Sequence, residues 1–100
     1  MRLAQVVGNV VATVKARGLE RHKLLLVRHV DPSAKAPPPS GAEVYAAIDL
    51  TGAGDGDVVL IAQGSAARID HGTGTVPTDA AVVAIVDSVL LGSKVTYQKR

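Results

Sequence analysis

The chain has few groups that could do chemistry. His22, His29 and His71 are the only imidazoles, and there is no cysteine. Disulfides, zinc–thiolate sites, iron–sulfur clusters and thiol catalysis are therefore excluded. No His-x-x-x-His spacing puts two imidazoles on one helix face for a metal. Asp70-His71 follows Ser65 and invites comparison with a Ser–His–Asp triad, which needs all three groups within hydrogen-bond reach. Ser65, however, lies in Gly64-Ser65-Ala66-Ala67-Arg68, not on the Gly-x-Ser-x-Gly elbow that exposes a nucleophile. Asp55-Gly56-Asp57 has the opening of a calcium loop, but Ala66 stands where the bidentate glutamate belongs. The expectation is no catalytic residue, no metal and no cofactor.

Gly52-Ala53-Gly54-Asp55-Gly56 could cradle a phosphate if a helix followed, because the helix N-terminus would face the anion. Residues 57–63 instead read as strand, and no Gly-Lys-Ser/Thr follows for a P-loop. The plainer reading is a tight turn in which glycine permits positive φ and close backbone approach.

The elements that position these residues are short, aliphatic and broken by glycine and proline. Residues 3–14 read as a first strand rich in valine, with a bulge or bend at Gly8. Residues 15–21 are a polar turn. Residues 23–30 form a second strand, whose run Leu24-Leu25-Leu26-Val27 suggests burial on both faces. Asp31-Pro32 ends it, since proline lacks an N–H and restricts its predecessor. Residues 33–42, with Pro37-Pro38-Pro39, read as an extended connector. Residues 43–50 and 57–63 are the third and fourth strands, and Gly64–Arg68 is one tight helical turn. Thr78 is a candidate helix cap for one or two turns. A closing hairpin then turns at Gly92-Ser93, between residues 82–91 and 94–98. The fold class is mostly all-β, a small barrel of five or six strands with a short helical turn.

A length of 100 residues suits one domain, with ~100–200 residues typical of each. A core of this size is modest, so oligomerisation would help it. The formal charge of +2 is too mild to imply a polyanion partner. Aromatic residues make up 2%, with no Phe and no Trp. Tyr45 and Tyr97 are a thin supply for stacking bases, even beside the basic end Lys94, Lys99 and Arg100. The start lacks a charged-then-apolar signal, and no apolar run approaches ~20 residues, so neither export nor a membrane span is expected.

Several separated motifs together resemble one family, the pentameric EutN/CcmL vertex proteins of bacterial microcompartment shells. They are Gly8-Asn9-Val10-Val11-Ala12-Thr13 with Lys15, the Lys23-Leu24-Leu25-Leu26-Val27 strand, and Ala47 and Asp49. Gly52-Ala53-Gly54, Gly56-Asp57-Val58-Val59-Leu60 and Gly64-Ser65-Ala66-Ala67-Arg68 follow in order. The stretch from Asp79 through Asp87 and the end Tyr97-Gln98-Lys99-Arg100 complete the likeness. Residues 31–42 carry no family signature.

The resemblance implies an oligonucleotide-binding-like (OB-like) barrel that does not bind nucleic acid. It implies a homopentamer at the five-fold vertices of a polyhedral shell, among hexameric shell proteins, inside the cytoplasm and away from membranes. It places Gly52, Ala53, Gly54, Gly56, Asp57, Gly64, Ser65, Ala66 and Arg68 at the subunit boundary or a central opening. Apart from the resemblance, an arginine buried unpaired is costly, which makes Asp49 or Asp57, of the same or the adjacent subunit, candidate partners for Arg68; the alternative is a solvated arginine that contributes little. The rival readings are a nucleic-acid-binding barrel and a small-molecule-binding barrel.

Overall fold

The computed structural model describes residues 1–33, 43–68 and 78–99, with Ala66 and Arg68 as backbone only. Five strands close into a barrel: β1 (Arg2–Val10), β2 (Lys23–His29), β3 (Val44–Asp49), β4 (Val58–Gln63) and β5 (Ala80–Ile85). Around the barrel the order is β1-β2-β3-β5-β4, closing where β4 pairs with β1. Every neighbouring pair is antiparallel except β3 with β5, which run parallel with Ile48 opposite Ala81. This is the connectivity expected of an OB-like barrel, and closure gives each of the five strands a neighbour on both sides, with β3 meeting β5 at Ile48 and Asp49.

Strand period sets what lies inside, because alternate side chains face opposite ways. Ala4 and Val6, Leu25 and Val27, Ala47, Val59 and Ile61, and Ala80 and Val82 all turn inward and form the core, which Ala53 joins from the β3–β4 turn. The second strand is not buried on both faces along its length. Leu25 and Val27 are buried, while Leu24 and Leu26 on the outer face are only half-buried. Part of that outer face is covered by a second cluster. Ile48, Ala67 and Ala81 pack there with Leu19, Leu24, Leu50 and Val83. Ala67 belongs to the short 3-10 helix Gly64–Arg68, the helical turn expected from the sequence.

The bulge expected near Gly8 is present. The β1–β2 register shifts between Val6 and Gly8, so Val6 opposes Val27 and Gly8 opposes Leu26. The first strand stops at Val10 rather than reaching Val14, because β2 starts at Lys23 and offers nothing to pair beyond Val10 opposite Leu24. Val11 and Val14 are left 88% and 89% exposed.

The helical turns expected from Thr78 do not form. The Thr78 hydroxyl accepts from the Ala80 N–H at 3.2 Å, and β5 begins at once. Pairing on both sides, with Ile61 opposite Val82 and Ile48 opposite Ala81, overrides the helical spacing of the apolar residues. The hairpin is real, with β6 (Ser88–Leu91) and β7 (Lys94–Gln98) turning at Gly92, φ 65°. It does not close the barrel. The Val86 N–H donates to Val58 and ends the barrel strand, and β6–β7 stands apart as a two-stranded sheet.

Candidate functional site

The turn at Gly52–Asp57 is tied into its own barrel. The Gly56 N–H donates to the Val6 carbonyl at 2.8 Å, and the Val6 N–H donates to the Asp57 carbonyl at 2.9 Å. The Asp57 side chain accepts from the Gly54 N–H at 2.8 Å. Asp49 braces the other side, its Oδ1 accepting from the Thr51 N–H, the Thr51 hydroxyl and the Gly52 N–H at 3.0–3.2 Å. Gly52 and Gly56 sit at φ 79° and 87°, whereas Gly54 lies outside the left-handed region. Accordingly, Gly56→Ala should cost about 1–2 kcal/mol from the left-handed backbone alone. Gly54→Ala, whose new Cβ would meet only Asp57 Oδ2 at 3.8 Å, should cost less. Paired urea melts check the order, and equal costs would refute the φ argument.

The second glycine segment lies at the other end of β4. Gly64, at φ 67°, donates its N–H to the Asp79 carbonyl at 2.8 Å. The six residues of β4 separate it from the Gly52–Asp57 turn, a run of about 20 Å. Within one subunit the structure therefore does not bring the two sets of candidate residues together. Gly52, Gly54, Gly56, Gly64 and Ser65 are exposed, and Asp57 is partly so. Ala53 and Ala67 are instead buried in their own subunit. Asp49 and Asp57, the partners expected for Arg68, both hold their own turn, and Asp57 also lies 3.8 Å from the Lys99 ammonium. The side chains of Arg68 and Ala66 lie outside what is described, as do Asp70, His71, Gly72, Gly74 and the proline run.

Two features are not evident from the residues taken singly. The first is the outer hairpin, where Leu90 stands opposite Val95, the two being 63% and 50% exposed. Leu91, next to Leu90 in sequence, is exposed too. Thr96 anchors the hairpin through its hydroxyl, which donates to the Pro32 carbonyl at 2.6 Å.

The second is one mouth of the barrel. Arg2, His29, Tyr45 and Gln63 continue the inward registers of β1, β2, β3 and β4 past the aliphatic core. With Glu43, Ala46, Asp79 and Ala80 they line a recess of about 440 Å³. His29 Nε2 and the Tyr45 hydroxyl are 2.6 Å apart, and the rings meet edge to face at 5.2 Å. Burial holds the His29 imidazole below its ordinary value and Arg2 adds to that, while Glu43 opposes it. Burial likewise pushes the Tyr45 phenol up. Strand alternation, carried to the ends of the first four strands, was the signal that would have found this set.

The His29 shift has a consequence for stability. A base whose pKa is lowered on folding binds fewer protons in the folded than in the unfolded chain, so its contribution is present above the unfolded value of about 6.5 and is lost as pH falls below it. Urea midpoints should drop between about pH 7.5 and 5 in the natural chain. The drop should be smaller in His29→Phe, and an unchanged pH profile in that variant would show that His29 does not carry it.

Residues 1–87 match the model of the family described as ethanolamine utilisation protein EutN/carboxysome. The chain is 47% identical over 100 residues to the carboxysome shell vertex protein CcmL of Synechocystis sp., covering 100% of this chain and 96% of that one. It is 43% identical over 99 residues to the microcompartment shell vertex protein EutN of Escherichia coli, covering 99% and 100%. The crystal structure of the Escherichia coli EutN superposes with a TM-score of 0.82 over the whole of both chains at 42% identity. The pentameric microcompartment shell protein GrpN of Rhodospirillum rubrum superposes with a TM-score of 0.73 at 37% identity, over 91% of this chain and 98% of that one.

Proposed function

This chain belongs to the EutN/CcmL family, and from that membership we propose that it is a structural shell protein whose pentamers close the five-fold vertices of a bacterial microcompartment. The observation that carries the reading is end-to-end similarity to shell vertex proteins together with the same closed barrel. Its role is assembly rather than catalysis, and its place is the shell, within the cytoplasm. Hexameric shell proteins are its neighbours there. The comparisons give no support to the nucleic-acid-binding alternative.

A five-fold ring needs a heterologous interface, in which one patch of a subunit meets a different patch of the next. The β6–β7 hairpin fits one side of such a contact. A lone two-stranded sheet is marginal in water, and this one presents Leu90, Leu91 and Val95 to solvent. A second copy of the chain is the occupant we assign to it. The exposed backbones at Gly52, Gly54, Gly56, Gly64 and Ser65 allow close approach along the seam or around a central opening, with Asp57, Ala66 and Arg68 beside them. A transport role for such an opening is not part of the reading.

Native mass spectrometry tests the proposal. Five chains per particle at low and high salt are expected. A persistent monomer would sink the vertex role. Polyanion binding that weakens steeply with salt would favour the nucleic-acid reading instead.

A further inference from the structure

The barrel interior is aliphatic through its core and turns polar at the mouth where β1 begins and β2 ends. Four successive strands each supply the change at an inward position: Arg2 from β1, His29 from β2, Tyr45 from β3 and Gln63 from β4. An assembly role gives no reason for this convergence. A recess of about 440 Å³ falls within the range of small-molecule sites, which join a concave shape to a few convergent polar groups, some with perturbed pKa values.

The charges around the recess are ordered. Arg2 is the strongest charged influence on both His29 and Tyr45, ahead of Glu43 and Asp79. Arg2 lines the recess together with the half-buried His29–Tyr45 pair, while the exposed Glu43 and Asp79 form an acidic rim. A simple anion drawn to Arg2 would meet two rim carboxylates, and a simple cation drawn to the rim would meet Arg2. A molecule carrying both charges satisfies both parts. Its anion is best a carboxylate, which the planar guanidinium can hold in two parallel hydrogen bonds. A phosphate dianion would suffer more from the rim. With its pKa held down, His29 is neutral near pH 7 and leaves the anion to Arg2, while the imidazole and phenol supply neutral hydrogen-bonding groups.

We propose that this mouth of the barrel binds a small zwitterion, its carboxylate on Arg2 beside the His29–Tyr45 pair and its ammonium at the Glu43 and Asp79 rim. The named residues all belong to one subunit, and the proposal does not rest on the pentamer reading.

The test uses the full chain in its native assembly state. Glycine, β-alanine and 4-aminobutanoate are titrated as probes of increasing charge separation, with acetate and ethylammonium as single-charge controls. Binding is read from the Gln63 side-chain amide signals and from tyrosine fluorescence, which no tryptophan obscures. At least one zwitterion should bind about tenfold more tightly than either control, and Arg2→Gln and Asp79→Asn should each weaken it about tenfold. Both residues are exposed, so both variants should fold, as unchanged thermal midpoints would show. The proposal is overturned if no probe saturates by about 50 mM, if acetate or ethylammonium binds as well, or if both variants bind like the natural chain. None of these outcomes bears on the number of chains in the ring.

Discussion

Leu90→Asp with Val95→Asp yields folded monomers where the natural chain yields a ring. The two residues face each other across the hairpin and are exposed in the single subunit. In water the two facing aspartates weaken the hairpin by like-charge repulsion, but the barrel keeps its fold because the hairpin lies outside it, and the hairpin base stays tied by the Lys99 N–H to the Asp87 carbonyl at 2.7 Å. Against an apolar patch of the next subunit they cost a great deal, since a carboxylate taken from water without a partner loses several kcal/mol. A ring repeats the penalty at every seam. Assembly should therefore disappear at concentrations where the natural chain is fully pentameric, while the circular dichroism of the barrel is kept. Sedimentation velocity reads the outcome. If the double variant remains a pentamer, the hairpin is not the seam, and the glycine turns become the stronger candidates.

Leu25→Ala should be the most damaging single truncation inside the barrel. Leu25 is among the largest fully buried side chains, and it packs among Ala4, Ala47, Val59 and their neighbours. Alanines and valines cannot collapse far into the space left behind, and strand pairing all round the barrel prevents the backbone from following. Loss of the leucine side chain plus an unfilled cavity costs about 3–5 kcal/mol, a large share of the roughly 5–15 kcal/mol that holds a domain together. Urea denaturation of the assembly-defective variant gives the cleanest reading, because ring formation adds concentration-dependent stability. A loss below about 1 kcal/mol would mean that the barrel relaxes far more than its pairing suggests.

How much of this was legible in the sequence depended on whether local pattern and tertiary pairing agreed. The four strands before residue 64, the bulge near Gly8, the helical turn at Gly64–Arg68 and the Gly92 turn were readable because β-branched runs and glycines pointed the same way. Residues 78–85 depart in part from the sequence expectation, because Val82, Ile85 and Val86 fit helical spacing, and only the pairing of Ala81 with Ile48, Val82 with Ile61 and Ile85 with Val59 fixes the segment as strand. The candidate glycines were recognisable as turns, but not their opposite placement on β4. The polar mouth was invisible for a related reason. Arg2, His29, Tyr45 and Gln63 are far apart in sequence, and only barrel registers make them neighbours.

The parallel pairing of β3 with β5 also constrains how the chain folds. Ile48 meets Ala81, thirty-three positions later, and Leu3 meets Leu60, fifty-seven positions later. Contacts of such long sequence separation put closed β-barrels among the slower small folders, on the order of milliseconds to seconds. The second neighbour of β3 is β5, which comes after β4 in the chain. Until β5 docks, β3 keeps one aliphatic edge without a partner, an edge open to pairing with a second chain. The parallel join is therefore the step at which a slow barrel is most exposed to misassembly.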